Sequence, residues 1–409
     1  MIRLRLARAL LRTGRAAEAR DLLGDSDPRD PEAAWLESRA ALQLGERARA
    51  AEALGRSADY RDAHPTEPEP APFVGSDRCA ECHRSAHSTH RRSLHARTFH
   101  RPAELAGLPL PPTGMPDPQD PRLSHTFRRD GGGLALETRV DDQTFRAVVD
   151  YAFGSGDRGL TLVGRDGSKR VRELRLSRYG DVSAGWDVTT GHSAHPERTE
   201  DGLGRPLSAD MARGCLFCHT TDPRSVVDGI APASLDRAIG CERCHGPGGN
   251  HVLAVSALGK AATESSPFDD LSIGLETGLS SPAEINRLCG QCHSPRGGVS
   301  ARPEDRSSVR FQATTLTWSR CYTESGEALG CLTCHDPHRD ATPRAAHYES
   351  RCKTCHAGAS TTSSSSTSLA RTTCPVNAST GCLGCHMPVV RTPMIPHSPF
   401  TDHFIRVRR

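Results

Sequence analysis

Seven times the chain repeats the pattern Cys-x-x-Cys-His: Cys79, Cys82 and His83; Cys215, Cys218 and His219; Cys241, Cys244 and His245; Cys289, Cys292 and His293; Cys331, Cys334 and His335; Cys352, Cys355 and His356; and Cys382, Cys385 and His386. Two cysteines three residues apart share one face of a helical turn, and the histidine follows the second directly. A single pair of this kind reads equally as a zinc site or a redox dithiol. Seven copies, each closed by histidine at the same position, are the pattern of covalent haem attachment. The two thiols reach the two vinyl groups, and the histidine becomes the proximal ligand of the iron. The expectation is seven covalent haems c, with His83, His219, His245, His293, His335, His356 and His386 on the irons.

Composition agrees with that expectation. Among 409 residues only 36% are hydrophobic and 4% aromatic, with 37 glycines and 29 prolines. A chain of this length normally builds its core from more apolar side chains. Seven flat apolar macrocycles would supply what is missing. The formal charge of +3 belongs to the bare polypeptide. Two propionates on each haem take it to roughly −4 oxidised and roughly −11 reduced, so the basic balance makes no case for a nucleic acid partner. Arginines suit the propionates, because a planar fork matches a carboxylate.

No stretch is long and apolar enough to cross a membrane, and charges interrupt the first residues, MIRLRLARALLRTGRAAEARDLLG, where a secretory signal would need an apolar run. Covalent haem attachment nevertheless belongs outside the cytoplasm. The chain is therefore expected to be periplasmic or otherwise extracytoplasmic, with its start lying inside a longer product or with a lipid or membrane anchor lost.

Residues 1–56 read as helix rich in Ala, Leu and Arg. Aligning Gly14 with Gly45 places Ala17 on Ala48 and Ala19 on Ala50, a period of 31. Small residues at helix contacts and a glycine in the turn look like tetratricopeptide repeats, whose surfaces dock other proteins. A plain helical hairpin packed on its neighbour is the simpler reading. A Pro-rich linker follows over 57–73, and the haem-bearing region spans 74–409. The first and second motifs are 136 residues apart, against 26, 48, 42, 21 and 30 thereafter. That long interval holds alternating strands, GLALETRV, QTFRAVVDY, GLTLVG and KRVRELRLS, with Asp166-Gly167 as a hairpin signal. They predict a small antiparallel insert at about 130–177. A Ser/Thr-rich loop is expected at 359–373. The fold class predicted is mainly α with much irregular chain: a multihaem domain with a small β insert, preceded by the helical hairpins.

Thirteen histidines remain for the opposite, distal faces of the irons. His251 in CHGPGGNH and His338 in CHDPH lie too close to their own proximal histidines to cross to the other face of the same haem, so each would cap a neighbour. His95 in SLHARTF and His403 in FTDHFIRVRR are further candidates. His125 and His192 come next, and His347 and His397 behind them. His64 reads as solvated, and His87, His90 and His100 as surface or propionate contacts. Cys321 and Cys374, outside the motifs, form a disulfide or stay free thiols.

From residue 74 onward the chain resembles the multihaem cytochromes related to hydroxylamine oxidoreductase and its tetrahaem electron acceptors. The resemblance rests on GSDRCAECH with SLHARTF, DYAFGSGDRG, GWDVTTGH, GCERCHGPGGNH, LTCHDPH, and CPVNASTGCLGCHMP ending in FTDHFIRVRR. It implies closely spaced haems with bis-histidine ligation, His95, His251, His338 and His403 standing at matching positions. No motif ends in lysine, the mark of the catalytic haem of pentahaem nitrite reductases, and no tyrosine is assignable to a haem cross-link. The resemblance thus carries electron transfer, with redox proteins as partners. An oxidoreductase acting on nitrite, hydroxylamine or sulfite at one open haem is the alternative.

Overall fold

The computed structural model describes residues 2–57, 60–64, 67–130, 133–180, 185–222, 238–258, 281–326, 328–356, 374, 376–377, 379–393 and 395–407. The Ser/Thr-rich stretch 359–373 lies outside them. The chain divides into two compact units: Met1–Ser88 with Ala233–Asp236 and Gly240–Ser280, and Thr89–Pro232 with Arg237–Ile239 and Ser281–Arg409.

The first unit begins with two helical hairpins, α1 (Ile2–Arg12) with α2 (Ala16–Leu23) and α3 (Pro31–Gln43) with α4 (Arg47–Arg56), followed by the single turn α5 (Tyr60–Ala63). Asp30 caps α3 by accepting from the Glu32 and Ala33 amides, and Pro31 stands at the first helical position, where its missing N–H costs nothing. The hairpins turn alike. Gly14 (φ +74°) and Gly45 (φ +78°) take the left-handed conformation that ends a helix. The amides of Arg15 and Glu46 donate to the carbonyls of Leu10 and Ala41, at 2.9 Å in both. The core holds Ala7, Leu10, Leu11, Ala19, Trp35 and Leu36, with Trp35 flanked by the Arg8 and Arg39 guanidiniums, 5.1 and 5.0 Å from its ring centre. Downstream, the stretch read as a linker buries Glu69 and Ala71. The unit also contains α6 (Ser76–Ala80), the start of α7 (Arg84–His90), α9 (Cys241–His245) and α10 (Gly249–Leu258). α3 packs on α10.

The second unit overturns the expectation of a mainly α chain with a small insert. Its largest element is a nine-stranded antiparallel sheet drawn from residues 99–206. The strands are β1 (Phe99–His100), β2 (Met115–Pro116), β3 (Leu123–Asp130), β4 (Gly133–Val140), β5 (Gln143–Phe153), β6 (Leu160–Asp166), β7 (Val171–Arg178), β8 (Trp186–Val188) and β9 (Gly204–Pro206). They run in the order β2-β3-β4-β5-β6-β7-β8, with β1 on β5 and β9 on β7. Register shifts at Val149/Tyr151 and Thr161/Val163 bend the sheet. Four of these strands are the alternating runs of the sequence. β3 was hidden because one of its inward positions carries His125 between Leu123 and Phe127, which breaks the apolar alternation. β1, β2, β8 and β9 are two or three residues long, too short to show a period.

The sheet's inner face is closed by Leu134, Leu136, Leu162, Leu174, Leu176 and Trp186. A second cluster, Phe99, Tyr151, Val163, Leu207, Ala212 and Leu216, packs α8 (Ala209–His219) onto it. Beyond the sheet come α11 (Pro282–His293), α12 (Gln312–Thr317), α13 (Arg320–Glu324), α14 (Cys331–Cys334), α15 (Ala345–His356), α16 (Cys382–His386) and a hairpin of β10 (Val389–Thr392) and β11 (Ile395–Thr401). Among the described residues no helix is long and apolar enough to cross a membrane.

Candidate functional site

Each motif sits on or at the end of a helix. α8, α11 and α15 end at His219, His293 and His356; α9 and α16 consist of the motif itself; α14 carries Cys331 and Cys334; and Cys79 lies in α6. One helical turn sets both thiols on one side with the histidine beside them. No disulfide joins any two of the sixteen cysteines, Cys321 and Cys374 included. The first unit holds the first and third motifs and the second unit the other five.

The histidine rings carry the clearest signal. His83 and His251 lie 6.3 Å apart between ring centres, His95 and His293 6.2 Å, His335 and His403 6.1 Å, and His90 and His338 6.4 Å. The other aromatic contacts span 4.3 Å, for Tyr179 on His397, to 5.7 Å, for Trp318 on Phe404. Contact packing therefore sets one distance and the histidine pairs another. A metal–nitrogen bond of about 2 Å plus about 1 Å of ring on each side puts two trans imidazole centres about 6 Å apart across one iron. Three of the four pairs join one motif histidine to one outside the motifs, as axial ligation of a haem requires. His251, although it follows the third motif, faces the first. His95, although it follows the first, faces the fourth. His338, expected to cap a neighbouring haem, faces His90, and that pair contains no motif histidine.

Hydrogen bonds set the tautomers. Nδ1 of His219, His386 and His403 lies 3.2, 3.2 and 2.9 Å from the carbonyl oxygens of Thr98, Arg406 and Thr401. His293 Nδ1 is 3.2 Å from Gln312 Oε1, and His338 Nδ1 is 3.1 Å from the Asp336 carboxylate. Oxygens of these kinds only accept, so Nδ1 carries the proton and Nε2 keeps the lone pair a metal needs. Burial pushes His219 down to about 4, against the pull of the Thr98 carbonyl. Burial also lowers His293, His335 and His403. These rings are therefore held neutral, the form that ligates.

Other candidates are committed elsewhere. His125 is fully buried in the sheet, with Nε2 2.9 Å from Asp117 and Nδ1 2.9 Å from Thr138 Oγ1. Neither nitrogen is left for iron, so it leaves the axial set. His192 Nε2 donates to Glu173 at 3.1 Å, His397 Nε2 to Asp187 at 2.9 Å, and His100 Nε2 to the Gly154 carbonyl at 3.1 Å. His347 is exposed on α15. Among the described residues no second histidine ring pairs with His219, His356 or His386 at the axial separation. The ring beside His219 is Phe153, at 5.1 Å.

Two polar features bind motifs together. In the first unit the buried carboxylate of Glu242, inside the third motif, accepts from the backbone amides of Val74, Gly75 and Gly248 at 2.9, 2.8 and 2.7 Å. It thereby clips the entry of the first motif to the third. In the second unit Asn286 of α11, the helix that ends in the fourth motif, accepts at its Oδ1 from the amide of Cys331, the first residue of the fifth, at 3.1 Å. In the second motif, burial and the nearby Glu173 push Cys215 up to about 11.

These residues fit a haem. The ring separations suit one iron between two imidazoles. α6, α7, α14 and α16 bury no side chain, and every apolar cluster among the described residues belongs to the amino-terminal helices with α10 or to the sheet with α8. Macrocycles would give the motif helices the apolar partner their own side chains do not. No group of three or more His, Cys, Asp or Glu side chains gathers as a metal site among the described residues; a porphyrin iron asks the protein for two ligands at most. Compared with protein-family models, curated proteins and solved structures, the chain gives no match.

Proposed function

We propose that this chain is a multihaem cytochrome c of the kind its motifs resemble, carrying electrons between redox proteins through seven covalently held haems in an extracytoplasmic compartment. The observation that carries the reading is the separation of the three pairs that join a motif histidine to one outside the motifs, 6.1–6.3 Å. When bound, each haem supplies a one-electron iron couple. The chain's own residues hold His219, His293, His335 and His403 neutral, fix ring planes by helix and hydrogen bond, and bring motif to motif through Glu242 and Asn286. Seven motifs within 74–409 leave too little chain to insulate each haem, which suits conduction. The matched hairpins of residues 2–56 support a tetratricopeptide-like pair.

Mass spectrometry of the exported holoprotein tests this. Seven added haem masses are expected, and an exported chain without them would sink it. One observation favours a second reading, an oxidoreductase of a small nitrogen or sulfur species: His219, half-buried and with a fixed tautomer, faces no histidine among the described residues. Electron paramagnetic resonance of the oxidised protein separates the two. A high-spin signal that shifts with nitrite, hydroxylamine or sulfite supports the enzyme, and low-spin signals alone support the carrier.

A further inference from the structure

We propose that Glu69 and Asn250 are positioning residues for the His251 ring, so that the amino-terminal helices form part of the mount of the first motif's haem. This rests on the reading that His83 and His251 face one iron.

Asn250 has no exposed surface and stands one residue before His251, in the first turn of α10. Its Nδ2 donates to Glu69 Oε1 at 2.7 Å, and its Oδ1 accepts from Gln43 Nε2 at 2.9 Å. Glu69 Oε1 also accepts from Arg39 Nε at 2.9 Å. Arg39 and Gln43 belong to α3, and Gln43 Nε2 reaches the Pro70 carbonyl at 3.1 Å as well. The side chains of Arg39 and Glu69 are 1% and 2% exposed. Next to the network, the Gly249 amide donates to the Pro72 carbonyl at 3.1 Å. A Cβ on Gly249 would stand 2.8 Å from that oxygen, so the chain closes here as only glycine allows. Ala41 and Leu42 of α3 and Ala50 of α4 pack with Ala254 of α10.

A buried ion pair is a poor way to gain stability, because removing both charges from water offsets most of their attraction. What such a network supplies is a single orientation. Apolar contact alone would let α10 slide or turn on α3 within the tolerance of small alanines. The Asn250 amide, held from two sides, fixes that rotation one residue from the ring that faces His83. A helical hairpin serving only as a tether has no use for a charged network at this point.

The test uses the full-length holoprotein and reads ferric spin state by electron paramagnetic resonance and absorbance. His251→Ala defines the signature: one haem in seven turns high-spin, and added imidazole returns it to low-spin. Asn250→Ala and Glu69→Ala are expected to give the same signature with seven haems still attached. Glu69→Gln, which keeps the accepting oxygen, is expected to restore the native spectrum. Asp30→Ala weakens α3 at its cap without touching the network and is expected to leave the spectrum native. Should Asn250→Ala fail to accumulate, Gln43→Leu removes one of its two holds and is expected to show a partial signature. Native spectra for Asn250→Ala, Glu69→Ala and Gln43→Leu beside an altered His251→Ala would overturn the positioning role alone. A native spectrum for His251→Ala would overturn the pairing with His83 as well.

Discussion

Asp117 shows how much a single buried side chain organises. Its carboxylate accepts from Arg175 Nε and Nη2 at 2.6 and 2.8 Å, from His125 Nε2 at 2.9 Å and from the amides of Gln119 and Asp120 at 2.9 Å. Burial alone would raise its pKa. Arg175 and His125 outweigh this and hold the carboxyl well below the usual range. Asp117→Asn leaves the charged Arg175 buried without its counter-charge, and urea denaturation at neutral pH should show a loss of about 3–5 kcal/mol. Because the folded carboxyl titrates below the unfolded one, the contribution is complete above about pH 4 and is lost as pH falls further. The gap between wild type and variant should therefore begin to narrow below that pH. Gln312 works at the other kind of site. On the proposed reading, Gln312→Glu makes the His293 ring more basic and should lower the potential of one haem, and Gln312→Leu should raise it. A redox titration unchanged in both variants would remove Gln312 from that role. At this scale the motif histidines were legible, because their spacing is local. The rings that face them were not: whether His125 is free to face one depends on Asp117 and Thr138, which the fold brings to its two nitrogens.

Elements fix what single residues cannot, namely the planes of the rings. His83 with His251 and His335 with His403 meet at 28° and 32°, while His95 with His293 meets at 74°. On the proposed reading, two near-parallel imidazoles on one iron would split its d orbitals and two near-perpendicular ones would leave them close in energy. The oxidised holoprotein is then expected to give two classes of low-spin signal. His95→Ala should remove one spin from the near-perpendicular class and none from the other. In the sheet, β5 and β6 approach so closely that a Cβ on Gly164 would stand 2.3 Å from the Val148 carbonyl. Gly164→Ala should lower stability by about 1–3 kcal/mol, read as a fall in the thermal midpoint. Strands β4 to β7 were legible because they alternate. The extent of the sheet was not, because β3 spends an inward position on a histidine and the short strands draw their identity from their neighbours.

For the whole molecule, the number of motifs was legible and the division of the chain was not. The two units cut across the order of the motifs, placing the third with the first. Charge gives a test at this scale. A polypeptide of pI 8.2 carrying two propionates on each of seven haems should focus on the acidic side of that value in its native state; a holoprotein at or above it would contradict the propionate count. The Glu242 clip has a consequence for assembly in time. It joins Val74 to a carboxylate 168 residues later, and His251, which faces the first motif, lies later still. On the proposed reading the chain is exported amino end first, so the first motif reaches the far side of the membrane well before the residues that enclose it. Whatever machinery loads that motif meets an open thread, and the order of loading is free of the order of closure.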